Sequence, residues 1–153
     1  MPMITVGSKA PSFTLEDQNG NKVSLSDFAG KKVLLSWHPL AWTSVCTDQM
    51  RALEANRDKL AALNTVALGV NVDPAPSKSA WAKVLCLKET RLLADFWPHG
   101  KVAKDYELFL EDLGFSARAN ILIDEHGKVA WAKEYPIGQL PDLEEVLRAV
   151  AAI

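Results

Sequence analysis

The sequence predicts an α/β fold: a central mixed sheet flanked by helices, preceded by an N-terminal β-hairpin. Three observations lead there. Two apolar runs, residues 32–37 and 65–70, have the continuous hydrophobicity of strands covered on both faces, and a helical pattern follows each. Asn19-Gly20 separates two short β-patterned runs, the strongest local hairpin signal. The chain then closes on a second hairpin and an amphipathic helix. That order mixes parallel with antiparallel pairing.

Taken in order, residues 13–16 and 22–25 form the first hairpin, and Ser26-Asp27-Phe28-Ala29-Gly30 turns into the 32–37 strand. Residues 42–63 read as a helix, with Cys46, Met50, Leu53 and Leu60 at helical spacing and Asp48, Arg51, Glu54, Asp58 and Lys59 facing elsewhere. After the 65–70 strand, Asp73-Pro74-Ala75-Pro76 breaks the chain. Residues 77–87 are the next helix, with Ser77 or Ser79 as its N-cap. Leu92-Leu93-Ala94 is a short strand, Trp97-Pro98-His99-Gly100 a loop, and 102–110 a short helix. Residues 119–124 and 128–131 pair through Glu125-His126-Gly127. The last helix places Pro141 at its first position, acidic Asp142, Glu144 and Glu145 in its first turn, and Leu143, Val146, Leu147 and Val150 on one stripe. No repeat or linker divides the 153 residues, so a single domain over 1–153 is expected. Its element order is compatible with a thioredoxin-like fold carrying insertions.

Composition narrows the function. Hydrophobic residues make up 48% and charged residues 24%, which suits a globular chain and excludes disorder. Seventeen Lys and Arg against nineteen Asp and Glu leave a net charge of −2, without the basic excess that nucleic acid or an anionic membrane would require. No apolar run approaches the roughly 20 residues of a membrane span. Residues 1–10 lack a basic stretch followed by an apolar one, so no signal peptide is expected and a cytoplasmic, reducing setting is. Cys46 and Cys86 are too few for a disulfide framework. Together with His38, His99 and His126 they show no metal-ligand spacing. Neither metal nor cofactor is expected. The composition asks why two cysteines are there.

For Cys46 the surroundings supply an answer. The run Trp37-His38-Pro39-Leu40-Ala41-Trp42-Thr43-Ser44-Val45-Cys46-Thr47-Asp48 lies between a buried strand and its helix. A free thiol titrates near about 8.5, and the thiolate is the nucleophile. Unpaired N–H groups and the macrodipole at a helix N-terminus favour that anion. Thr43 can place a hydroxyl beside the sulfur, and Pro39, lacking an N–H, is an apolar lid. A strand–turn–helix presenting one activated thiol is a nucleophile site in outline. The competing reading is a buried structural cysteine with Thr43 or Ser44 as an N-cap. A dithiol motif is ruled out here, because Thr43 fills the position a second cysteine would need.

The run from Pro39 to Cys46 fits Pro-x-x-x-Thr-x-x-Cys and resembles the active-site motif of peroxiredoxins. The resemblance covers essentially the whole chain, including Gly7-Ser8-Lys9-Ala10-Pro11-Ser12-Phe13-Thr14-Leu15, Val70-Asn71-Val72-Asp73, Ser79-Ala80-Trp81-Ala82-Lys83 and Ser116-Ala117-Arg118-Ala119-Asn120. The stretch Ala94-Asp95-Phe96-Trp97-Pro98-His99-Gly100 is most similar to the alkyl hydroperoxide reductase E-type branch, close to the bacterioferritin-comigratory-protein branch. The resemblance implies a thioredoxin-like fold and a peroxidatic Cys46 that becomes a sulfenic acid. It also implies that Thr43 positions the peroxide, Pro39 shields the thiolate, and Arg118 stabilises thiolate and oxygen. The backbone N–H groups of Val45 and Cys46 would complete the oxygen site. Implied partners are a peroxide, an external thiol reductant and a second copy in a homodimer, with Trp42 and Trp97 at the interface. Trp37 and Trp42 depart from the family's frequent Phe or Tyr, Ser44 from its Pro, and Gln49 from its Glu.

Cys86 has two readings. In branches that form an internal disulfide the resolving position aligns with Ala82, one helical turn earlier, and another resolving position aligns with Arg51. Cys86 is therefore a candidate resolving cysteine only after local unwinding, because a disulfide needs Cα atoms within about 7 Å. Otherwise it is a core cysteine packed among Val84, Leu85 and Leu87. His38 reads as a structural histidine beside the motif, and His99 as part of a packing loop. A redox sensor using the same Cys46, or a redox-inactive scaffold, remains the alternative to an enzyme.

Overall fold

The computed structural model describes residues 3–153, so the first two residues of the expected domain lie outside the described residues. Strands β1 (Thr14–Glu16) and β2 (Lys22–Ser24) form the first hairpin, closed by the Asp17 carboxylate, which accepts the Asn19 and Asn21 N–H groups. Gly20 holds a φ of +78°, the left-handed value this turn requires. A 3-10 turn, Leu25–Phe28, leads to β3 (Lys32–Trp37), whose six residues are all buried. Helices α1 (Ser44–Ala55) and α2 (Arg57–Ala62) return the chain to β4 (Thr65–Asn71). Helix α3 (Ala75–Leu85) leads to β5 (Arg91–Ala94), and α4 (Lys101–Asp105) to the small pair β6 (Phe109–Leu110) and β7 (Phe115–Ser116). The hairpin β8 (Arg118–Ile123) and β9 (Val129–Tyr135) precedes α5 (Leu143–Ala151).

The main sheet runs β2-β1-β5-β4-β3-β8-β9. Strand β3 pairs parallel with β4, from Lys32 opposite Thr65, and antiparallel with β8, from Val33 opposite Ile123. Alternation sorts the side chains between two cores. Val33, Leu35 and Trp37 join Ile121, Ile123 and Tyr106 on one face, while Leu34 joins Cys46, Met50, Trp81 and Val146 on the other. Lys32 is buried but satisfied, its Nζ donating to the Val150 carbonyl at the end of α5 (2.9 Å).

Four expectations need correction. The 42–63 segment begins its helix at Ser44 and is interrupted at Asn56, whose φ of −107° leaves the helix while its Nδ2 donates to the Ala52 carbonyl. The third helix starts at Ala75, inside the Pro-containing stretch read as a break, because Pro76 sits in the first turn where a missing N–H does no harm. The 102–110 helix ends at Asp105, and Glu107 adopts a φ of +59° before β6. Pro141 precedes the last helix, whose N-cap is Asp142, with its carboxylate accepting the Glu144 N–H (3.0 Å).

Gly69 in β4 faces α1 so closely that a Cβ there would lie 2.5 Å from Met50 Sδ and 2.9 Å from Leu92 Cδ2. Gly69→Ala is expected to destabilise the protein by about 1–3 kcal/mol, read as a lower urea midpoint at unchanged slope.

Candidate active site

Strand β3 ends under the loop 38–43, and α1 begins at its far side. Cys46 is the third residue of α1 and fully buried. The Thr47 N–H makes the first helical bond, to the Thr43 carbonyl (2.9 Å), so the Val45 and Cys46 N–H groups belong to the unbonded helix end. Pro39 is buried and Thr43 exposed. Thr43 is the N-cap by backbone geometry, but its hydroxyl donates back to the Leu40 carbonyl (2.8 Å), closing the loop on itself. Trp42 holds a φ of +72°, a value costly for a bulky residue. Its indole N–H donates to Ser77 Oγ (3.0 Å), and its ring lies 6.5 Å from that of Trp81 on α3.

Arg118 comes to this site from the start of β8, 72 residues along the chain from Cys46. Its side chain is buried and its donors are largely used. Nη1 lies 3.3 Å from Cys46 Sγ and 2.8 Å from Gln49 Oε1, while Nε and Nη2 donate to the Ile137 carbonyl at 2.9 and 2.7 Å. Gln49 in turn donates through Nε2 to Ser36 Oγ (2.7 Å) and the Trp37 carbonyl (3.1 Å). A carboxylate at this position would have no proton for the Trp37 carbonyl, which gives the departure from Glu a physical reason. The structure thus brings Arg118 to Cys46, with Pro39 and Thr43 in the loop that leads into α1.

Cys86 is elsewhere and is not a core residue. It is the C-cap of α3 in the left-handed conformation, φ +57°, and exposed, as is Val84. The left-handed turn rotates it off the buried face that Ala82 occupies. Ser77, at the other end of α3, contacts Trp42. Nine residues of helix at about 1.5 Å each separate the two along its axis.

Sequence reasoning missed a buried polar group on the same helix. Lys78 is fully buried, and its Nζ donates to Asn71 Oδ1. Asn71 Nδ2 donates to Asp73 Oδ2 (2.7 Å), which also accepts the Ala41 N–H (2.7 Å). The signal was available, since Lys78 shares the 78, 81, 82, 85 stripe with Trp81, Ala82 and Leu85. Burial brings the Lys78 ammonium down to about 7, against the opposing pull of Asp73, Asp95 and Cys46. His38 is also buried, and desolvation, with the Lys78 charge, holds it well below the ordinary histidine range. Among the described residues its Nε2 has no hydrogen-bond partner.

Comparison with known proteins places this arrangement. The model of the AhpC/TSA family matches residues 6–132. The chain belongs to the AhpC/TSA family. It is 35% identical over 152 residues to alkyl hydroperoxide reductase E of Mycobacterium tuberculosis and of Mycobacterium bovis, covering 99% of this chain and 99% of each relative. Peroxiredoxin 2 of Picrophilus torridus is 30% identical, over 98% of this chain and 76% of its own length. Among solved structures, the reduced 2-Cys peroxiredoxin of Plasmodium vivax superposes with a TM-score of 0.88 at 32% identity, covering 96% of this chain and 80% of that one. The expected thioredoxin-like fold of the peroxiredoxins is therefore the observed one. As a peroxiredoxin, the chain is a thiol-dependent peroxidase.

Arg118→Lys keeps a charge but loses the fork that holds the Ile137 carbonyl. Hydrogen exchange is expected to show faster exchange across residues 136–140, while the strands of the sheet keep their protection.

Proposed function

We propose that Cys46 is the thiol that reduces the peroxide, with Thr43, Pro39 and Arg118 as its partners. The observation that carries this reading is the Arg118 guanidinium 3.3 Å from a buried Cys46 Sγ in the first turn of α1. There a fixed cation and free N–H groups favour both a thiolate and an oxygen gaining negative charge. The thiolate attacks the terminal peroxide oxygen. An S–O bond forms as the O–O bond breaks, and the departing oxygen takes a proton to become water or an alcohol. Cys46 is left as a sulfenic acid. Thr43 stands exposed at the mouth, its donated bond to Leu40 leaving lone pairs free for a hydroperoxide O–H. Buried Pro39 keeps water from the sulfur.

An external thiol closes the cycle. One thiol condenses with the sulfenic acid, releasing water and leaving a mixed disulfide, and a second displaces Cys46. The exposed, left-handed cap position of Cys86, at the end of α3 remote from Trp42, supports this route over an internal disulfide. A homodimer through the face carrying Trp42, 52% exposed, and Trp97, 81% exposed, fits the enrichment of aromatics at interfaces. The cytoplasm, with its thiol reductants, is the setting we infer. No helix among the described residues is long and apolar enough to cross a membrane.

Cys46→Ser is expected to abolish peroxide consumption, and one equivalent of peroxide should add one oxygen to the wild-type mass at Cys46. Full turnover in Cys46→Ser would refute the assignment. Cys86→Ser is expected to turn over at the wild-type rate with an external thiol. Loss of turnover there, with a two-hydrogen mass loss in the oxidised wild-type monomer, would instead establish Cys86 as resolving.

A further inference from the structure

Lys78 is the least expected residue in the core. Helix α3 turns it inward beside Trp81, Ala82 and Leu85, where an aliphatic chain of similar length would fill the space without desolvating a charge. A local rule broken in this way points to use, and the hydrogen bonds show what is held. From the Lys78 Nζ they run through Asn71 to Asp73 and end on the N–H of Ala41, midway between Pro39 and Thr43. Asp73 further receives no side chain from the loop itself, so its orientation depends on Asn71, whose amide oxygen is occupied by Lys78 and by the Asp73 N–H (3.1 Å).

We propose that Lys78 is a positioning residue for peroxide reduction, its ammonium group fixing Asn71 and Asp73 so that the Ala41 amide holds Pro39 and Thr43 in place around Cys46. The inference rests on Cys46 being the reacting thiol. The groups that face Lys78 come from four directions: Asp73 after β4, Asp95 after β5, Cys46 on α1 and His38 after β3. Asp73, Asp95 and Cys46 favour its proton and burial holds His38 well below the ordinary histidine range, yet the burial of Lys78 itself outweighs its partners. Lys78 therefore changes charge close to neutral pH. The tether is strongest below that point and weakens above it.

The test is stopped-flow oxidation of the reduced protein by hydrogen peroxide as a function of pH, followed by tryptophan fluorescence. In the wild type the second-order rate constant is expected to fall as pH rises beyond about 7, where Lys78 loses its proton. Lys78→Met is expected to react about tenfold more slowly at neutral pH and to lack the alkaline fall, whereas Lys78→Arg, charged throughout, stays within about threefold of wild type and also lacks it. In the unaltered protein the Ala41 amide resonance should shift over the same pH range. A Lys78→Met enzyme that is slower but keeps the wild-type alkaline fall would reduce Lys78 to packing and overturn the proposal, as would wild-type rates throughout. If neither variant folds, an Ala41 amide that stays fixed through that range overturns it. Peroxide reduction surviving in Cys46→Ser would sink the assignment of the thiol instead, and the Ala41 titration, which needs no reaction, would still judge the tether.

Discussion

The site depends on one buried guanidinium. Removing Arg118 from water is tolerable only because its N–H groups find three acceptors on two separate parts of the chain. These are Cys46 and Gln49 on α1 and the Ile137 carbonyl beyond β9. The same requirement that stabilises the cation fixes the geometry of the chemistry. Gln49 is locked at its other end by Ser36 and Trp37, so the guanidinium, the first turn of α1 and the end of β3 form one rigid unit. Strand β3, buried along its whole length between β4 and β8, is the frame on which that unit is mounted.

Loop 38–43 is held more delicately. Beyond His38, which is tied to Val70, three hydrogen bonds involving a side chain hold it: a hydroxyl on a carbonyl at Thr43 and Leu40, an indole on a serine at Trp42 and Ser77, and a carboxylate on an amide at Asp73 and Ala41. Two of the three reach α3 or the segment leading into it. Helix α3 therefore has two jobs, covering the sheet with Trp81, Ala82 and Leu85 while anchoring the loop through Ser77 and Lys78. The unfavourable backbone at Trp42 persists because these anchors determine it from both sides.

Much of this was legible from the residues. Apolar runs marked β3, β4 and β8, Asn19-Gly20 marked the first hairpin, and Pro39, Thr43 and Cys46 stood along the turn that joins β3 to α1. Arg118 was reachable through resemblance, since no local pattern brings a β8 residue to α1. The rest turned on balances that periodicity does not weigh. Asn56 ends α1 through a side-chain bond to Ala52 inside an otherwise continuous helical pattern. Cys86 looked like part of a buried stripe until a left-handed cap turned it to solvent. Lys78 lay on the apolar stripe in plain view, but lysine is so rarely buried that spacing alone does not mark it as a core residue.

Lys78 also bears on how the protein can be improved. Its proton is held near 7 in the fold but near 10.5 in an unfolded chain, so as pH falls from about 10.5 to about 7 the unfolded state takes up the proton first and folding loses free energy. At neutral pH most of that loss is in force. A screen that selects for heat resistance alone would therefore favour apolar replacements at this position, and would collect robust proteins whose loop has lost its anchor. Thermostability and reactivity meet here in a single side chain, and selection for one without assaying the other would separate them.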